Sequence, residues 1–123
     1  MNLGANIMSQ NQTNSTRILV EDALLLIKSG QGILIDIREQ EELESEGIAR
    51  GALWIPMSKM THSESALVKS LENLDANKKL ILYCKSGGRV SRLIPILEQK
   101  KFSALNMGGL KDWIAAGQPI EKI

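Results

Sequence analysis

The chain has a single cysteine, Cys84, which closes the apolar run LILYC and is followed at once by Lys85, Ser86, Gly87, Gly88 and Arg89. An inert cysteine is usually buried within an apolar run. This one stands where the run stops. Two adjacent glycines let the backbone curl, because glycine tolerates positive φ and brings no Cβ. A curled loop turns successive N–H groups inward, and the helix expected behind it adds its own free N–H groups. Together they form an anion-binding cradle. A free thiol titrates near about 8.5, and a helix N-terminus or a nearby cation lowers that by about one to several units. Lys85 and Arg89 can add positive charge. The expected product is a partly exposed, nucleophilic thiolate beside an anion site, with no general base required.

A single cysteine excludes an internal disulfide, a Cys-x-x-Cys redox pair and a multi-cysteine zinc site. Any chemistry at Cys84 must take its second thiol from outside. The single histidine, His62, lies in the polar stretch THSES and reads as a solvated loop residue. With 123 residues the chain suggests one domain with a core large enough to fold alone. A net charge of +1, with scattered basic residues, gives no electrostatic case for nucleic acid or an anionic membrane. The N-terminal stretch lacks the charged and then apolar order of a secretory signal, so a cytoplasmic location is expected.

The elements that must position Cys84 are legible from periodicity. Residues 1–15 are rich in Asn, Gln, Ser and Thr and read as a flexible tail ahead of a domain over residues 16–123. VEDALLLIKSG has helical spacing and a stop at Gly30. GILIDIR reads as a strand, EQEELESEG as a short acidic helix and ALWIP as a second short strand. SESALVKSLENL reads as an amphipathic helix with a serine cap. KKLILYC is almost continuously apolar, as in a parallel strand buried on both faces. RVSRLIPILEQKK is helical in spacing, although Pro95 should bend or fray its beginning unless it falls in the first turn. SALNM is a short strand, and GLKDWIAAGQP is a final helix. Strands alternate with helices, so the expected fold is a small α/β domain, a mostly parallel sheet with helices on both faces. In such sheets ligands bind at the carboxyl ends of the strands, which is where Cys84 stands.

With these motifs in order, residues 17–121 resemble a rhodanese-like domain. The resemblance rests on LIDIREQEEL with Asp36 and Arg38, on Gly51-Ala52 and Ile55-Pro56, on the loop CKSGGR, and on Gly108, Gly109 and Trp113 before Gly117 and Pro119. It implies that Cys84 accepts sulfane sulfur. The backbone amides of Lys85, Ser86, Gly87, Gly88 and Arg89 would then bind the anionic donor and the persulfide. Asp36 and Arg38 would give structural support, and Trp113 would pack in the core. The chain departs from the family pattern in EGIARGA, which lacks a histidine, and in Val90, which places the first hydroxyl at Ser91. The implied activity is a thiosulfate sulfurtransferase-like transfer from a small anionic donor to cyanide, a thiol or a partner-protein cysteine, without metal or organic cofactor. A persulfide carrier or interaction module would share the first step. A phosphatase or arsenate reductase of the same fold needs five residues between Cys and Arg, and only four separate Cys84 from Arg89.

Overall fold

A computed structural model describes residues 16–123; the tail expected over residues 1–15 lies outside the described residues. In chain order the elements are α1 (Val20–Lys28), β1 (Gly32–Asp36), α2 (Gln40–Glu46), β2 (Ile48–Ala49) and β3 (Leu53–Trp54). Then come α3 (Met57–Thr61), α4 (Glu64–Leu71), β4 (Lys79–Cys84), α5 (Gly88–Gln99), β5 (Ser103–Gly109), α6 (Leu110–Ala115) and β6 (Ile120–Glu121). The main sheet is parallel with strand order β3-β1-β4-β5.

The near-continuous apolar run of β4 is explained by its place between β1 and β5. Leu80, Leu82 and Cys84 face one buried layer with residues of α4 and α5. Ile81 and Tyr83 face the other, with residues of α1 and α6. A strand with covered faces has no solvent side on which to carry polar residues. Each fully buried aliphatic side chain contributes about 1.5–3 kcal/mol, so β4 is also an energetic centre of the domain.

The expected helices and strands are present, and their limits show where local signals work. Ser63 caps α4 by accepting the Ala66 N–H at 3.0 Å. Gly30 follows α1 at φ +78°, the left-handed conformation that suits a helix stop. The final helix ends at Ala115, and Gly117 follows at φ +77°. The strand expected over SALNM continues to Gly109. Pro95 does not break α5, which runs unbroken over Gly88–Gln99. Pro95 lies beyond the first turn on the exposed side, and the carbonyl it leaves without a helical partner belongs to exposed Ser91, where water can serve it. Periodicity gave no sign of α3 or of the antiparallel pair β2–β6, because two-residue strands carry no period.

Candidate active site

Cys84 is the last residue of β4 and pairs with Gly109 at the end of β5. Between Leu82 and Cys84 the register shifts by a bulge, which re-aims the strand end. Gly109 is required by space. A Cβ there would lie 1.9 Å from the Lys85 carbonyl oxygen, so only glycine lets the loop cross the end of β5.

The loop then folds over the sulfur. Gly87 adopts φ +100° as the N-cap of α5, and its N–H donates to Cys84 Sγ at 3.1 Å. Gly88 has ordinary backbone and open space around its Cα, so just one of the two glycines is used for its conformational freedom. Burial pushes the Cys84 thiol up, and the N–H groups of Val90, Ser86, Gly87 and Arg89 more than offset it, holding the thiol below its ordinary value. Val90 was not among the amides expected to contribute. It joins them because it lies in the first turn of α5, where N–H groups are free of helical partners.

One expectation needs correction. The thiol was expected to be partly exposed, yet Cys84 is 1% exposed, because the loop closes over it. The charge of Arg89 acts on the thiolate as expected, but its Nη1 and Nη2 also donate to Glu42 Oε1 and Oε2 at 2.8 and 2.7 Å, a carboxylate that offsets it. Lys85 and Ser86 are exposed on the outside of the loop. The favourable field at the sulfur therefore comes from backbone dipoles more than from side-chain cations.

Asp36 and Arg38 lie at the neighbouring strand end and take no direct part in the cradle. Both side chains are fully buried. The Asp36 carboxylate accepts the Arg38 backbone N–H at 2.8 Å, Nε at 3.1 Å and Nη2 at 2.9 Å. Arg38 also donates to Glu46 at 2.9 Å and to the Gly47 carbonyl. Its own carbonyl accepts Trp54 Nε1 at 2.7 Å. The pair ties β1 to α2 and β3. Trp113 is buried, and its Nε1 donates to the Pro119 carbonyl. His62 is exposed at the end of α3.

Two residues that support the loop were not anticipated. Asn106, buried in β5, donates from Nδ2 to the Gly87 carbonyl at 3.0 Å and to Ser91 Oγ at 3.1 Å. Its Oδ1 accepts the Gly108 N–H at 2.9 Å. Ser91 thus engages Asn106 as the acceptor of its amide. The signal for Asn106 was available as a lone amide inside the apolar stretch SALNM. Glu42 gave no such signal, since it is one of several acidic residues in EQEELESE.

The family model described as Rhodanese-like domain matches residues 19–116. The chain belongs to the rhodanese-like domain family. A Bacillus subtilis (strain 168) protein named "Putative sulfurtransferase YtwF" is 31% identical over 87 residues, covering 70% of this chain and 77% of that one. A rhodanese-related protein of Thermoplasma volcanium superposes with a TM-score of 0.68 at 25% identity, over 85% of this chain and 96% of that one. A protein of Rhodopseudomonas palustris, described as of unknown function and "Possible Tyrosine Phosphatase", superposes with a TM-score of 0.68 at 28% identity, over 90% and 89%. Membership of the rhodanese-like family and the sulfurtransferase relative support a transferase at family level. Among the described residues, no helix is long and apolar enough to cross a membrane.

Proposed function

We propose that this rhodanese-like protein moves sulfane sulfur from thiosulfate, or a similar anionic donor, to a thiophilic acceptor through a persulfide on Cys84. The observation that carries this reading is the Gly87 N–H donated to Cys84 Sγ at 3.1 Å, beside the N–H groups of Val90, Ser86 and Arg89, which also act to hold the thiol below its ordinary value. Such donors stabilise a thiolate before reaction and the outer sulfur of a persulfide after it. In the first step the Cys84 thiolate attacks the outer sulfur of thiosulfate. The S–S bond of the donor breaks, sulfite leaves with the bonding pair, and Cys–S–S⁻ remains. In the second step cyanide, a thiolate or a partner cysteine attacks the outer sulfur and restores the Cys84 thiolate. Charge is conserved in each step, and Cys84 carries one negative charge before and after each, as thiolate or as persulfide.

The burial of Cys84 assigns the loop a further task. Cys84 is 1% exposed whereas Ser86 and Gly88 are exposed, so an incoming donor meets the loop first and the loop must open for it to reach Sγ. Exposed Lys85 stands beside the nucleophile in the chain and favours an anionic donor. Phosphate-ester chemistry is disfavoured by the four-residue spacing between Cys84 and Arg89 and by the engagement of Arg89 with Glu42.

The test is intact mass after incubation with thiosulfate, beside Cys84→Ser. A gain of one sulfur, about 32 Da, that cyanide removes and the variant lacks is the expected result. An unmodified thiol that still alkylates with iodoacetamide would overturn the proposal for this donor.

A further inference from the structure

The residues just before α1 reach the cradle from behind. Residues 16–18 run parallel to β5, with Arg17 opposite Asn106. The Ile18 N–H donates to the Asn106 carbonyl at 3.0 Å, and the Asn106 N–H donates to the Thr16 carbonyl. Residues paired in this way point their side chains to one face. The Asn106 side chain holds the Gly87 carbonyl and the Gly108 N–H. The Arg17 guanidinium lies on the same two glycines. A Cβ on Gly87 would stand 2.9 Å from Nη1, and a Cβ on Gly108 would stand 3.4 Å from Nη2. Both glycines are left-handed, at φ +100° and +93°, and their lack of a Cβ lets a planar cation approach this closely. Gly87 is the residue whose N–H donates to Cys84 Sγ at 3.1 Å. Bond lengths then place Arg17 Nη1 within about 9 Å of the sulfur.

We propose that Arg17 is a positioning residue for Cys84: seated on Gly87 and Gly108, it holds the loop against the end of β5 and places a positive charge behind the N–H that meets the sulfur. The proposal deepens the sulfur-transfer reading and rests on it for its place in turnover. The other charges around the sulfur are accounted for. Arg89 of α5 is offset by Glu42 of α2, with Glu39 beside it. Asp36 and Arg38 at the end of β1 engage each other, and Arg38 also engages Glu46. Lys85 is exposed on the loop. Around Arg17 itself, Asp112 of α6 and Glu21 of α1 line the same surface hollow, and Asp112 accepts the Gly109 N–H at 2.8 Å. Those carboxylates stay in place when Arg17 is replaced, so the change reads the charge of Arg17. A unit charge at about 9 Å, in a setting between protein surface and water, moves the titration of the sulfur by about half a pH unit.

The experiment is the pH dependence of Cys84 alkylation by iodoacetamide, an uncharged reagent, in wild type, Arg17→Met and Arg17→Lys. Methionine keeps an unbranched apolar stem over the glycines and removes the charge, whereas lysine keeps the charge. In Arg17→Met at low salt the alkylation midpoint should rise by about half a pH unit, which slows alkylation about threefold at a fixed pH below the midpoint. Arg17→Lys should restore most of that shift. The gap between wild type and Arg17→Met should shrink as salt rises from about 10 mM to about 1 M, because the Debye length falls from about 30 to about 3 Å and Arg17 is exposed. A residue with a structural role alone would lower the melting temperature and leave the midpoint where it is. An unchanged midpoint in folded Arg17→Met overturns the proposal, as does an Arg17→Lys variant that matches Arg17→Met. Because Arg17 is exposed, both variants should fold, and thermal melts check this. No sulfur donor enters the assay. A protein whose midpoint moves as expected yet takes no sulfur from thiosulfate would overturn the proposed function alone.

Discussion

Asp36→Ala removes one half of a fully buried ion pair, and the structure fixes what is left behind. Arg38 would lose the acceptor for its Nε, for one Nη2 bond and for its backbone N–H. It would keep Glu46, whose side chain is 48% exposed, and the Gly47 carbonyl. Breaking a buried pair from one side costs about 3–5 kcal/mol, because the remaining charge stays buried without full compensation. Glu46 softens this, so the expected loss is about 3 kcal/mol. Total stability for a domain of this size is about 5–15 kcal/mol. The loss should lower the melting temperature by roughly 12 °C. Urea titration followed by circular dichroism measures the first quantity and a thermal melt the second. Replacing both partners, Asp36→Leu with Arg38→Met, should recover most of the loss, since the unpaired charge is gone. Below the transition, folded Asp36→Ala should alkylate Cys84 within about tenfold of wild type, because Asp36 sits across from Tyr83, next to Cys84, but its carboxylate bonds go to Arg38 and none goes to Sγ. A loss below about 1 kcal/mol would refute the burial argument. A more than tenfold drop in alkylation of the folded variant, worth more than about 1.4 kcal/mol in barrier, would refute the structural assignment and place the pair in the chemistry.

Other predictions follow from the loop itself. Gly87→Ala should cost about 1–2 kcal/mol, because φ +100° is unfavourable for alanine and a Cβ would lie 2.9 Å from Arg17 Nη1, whereas Gly88→Ala should be neutral or slightly stabilising. Comparing urea midpoints of the two variants checks this directly. Asn106→Ala leaves the Gly87 carbonyl and the Gly108 N–H without that partner and should cost about 1–3 kcal/mol, with a raised alkylation midpoint. The Arg89 guanidinium holds the Glu42 carboxyl down to about 2, against an ordinary value of 4.5. A depressed folded value means the stabilisation is present above the ordinary value and is lost as pH falls from about 4.5 toward 2, on the order of 2 kcal/mol at partial exposure. Glu42→Gln should therefore flatten acid unfolding over that window, and an unchanged acid limb in pH-dependent urea melts would count against the pair. Cys84 alkylation in native protein should reach half-maximum below the ordinary thiol range, and in urea-unfolded protein within it.

The sequence alone determined the fold class and the place of the proposed nucleophile, because both are written in local pattern. An unbroken apolar run ending in KLILYC reports a central parallel strand, and a cysteine followed by two glycines at its end reports a loop that can curl over it. Ser63 and Gly30 mark element ends by short-range hydrogen bonding and backbone preference, which neighbouring residues suffice to decide. What tertiary structure decided was the balance of charge and exposure around the sulfur. Arg89 and Glu42 are separated by 47 positions, so no local pattern could pair them, yet that pairing offsets the charge of Arg89 beside the sulfur and leaves the backbone N–H groups the larger share of the favourable field. Asn106 and Gly109 meet the loop because β5 lies beside β4, and the burial of Cys84 follows from that closure. Periodicity is a property of neighbours along the chain, whereas electrostatics and access at a site depend on which distant segments pack against it.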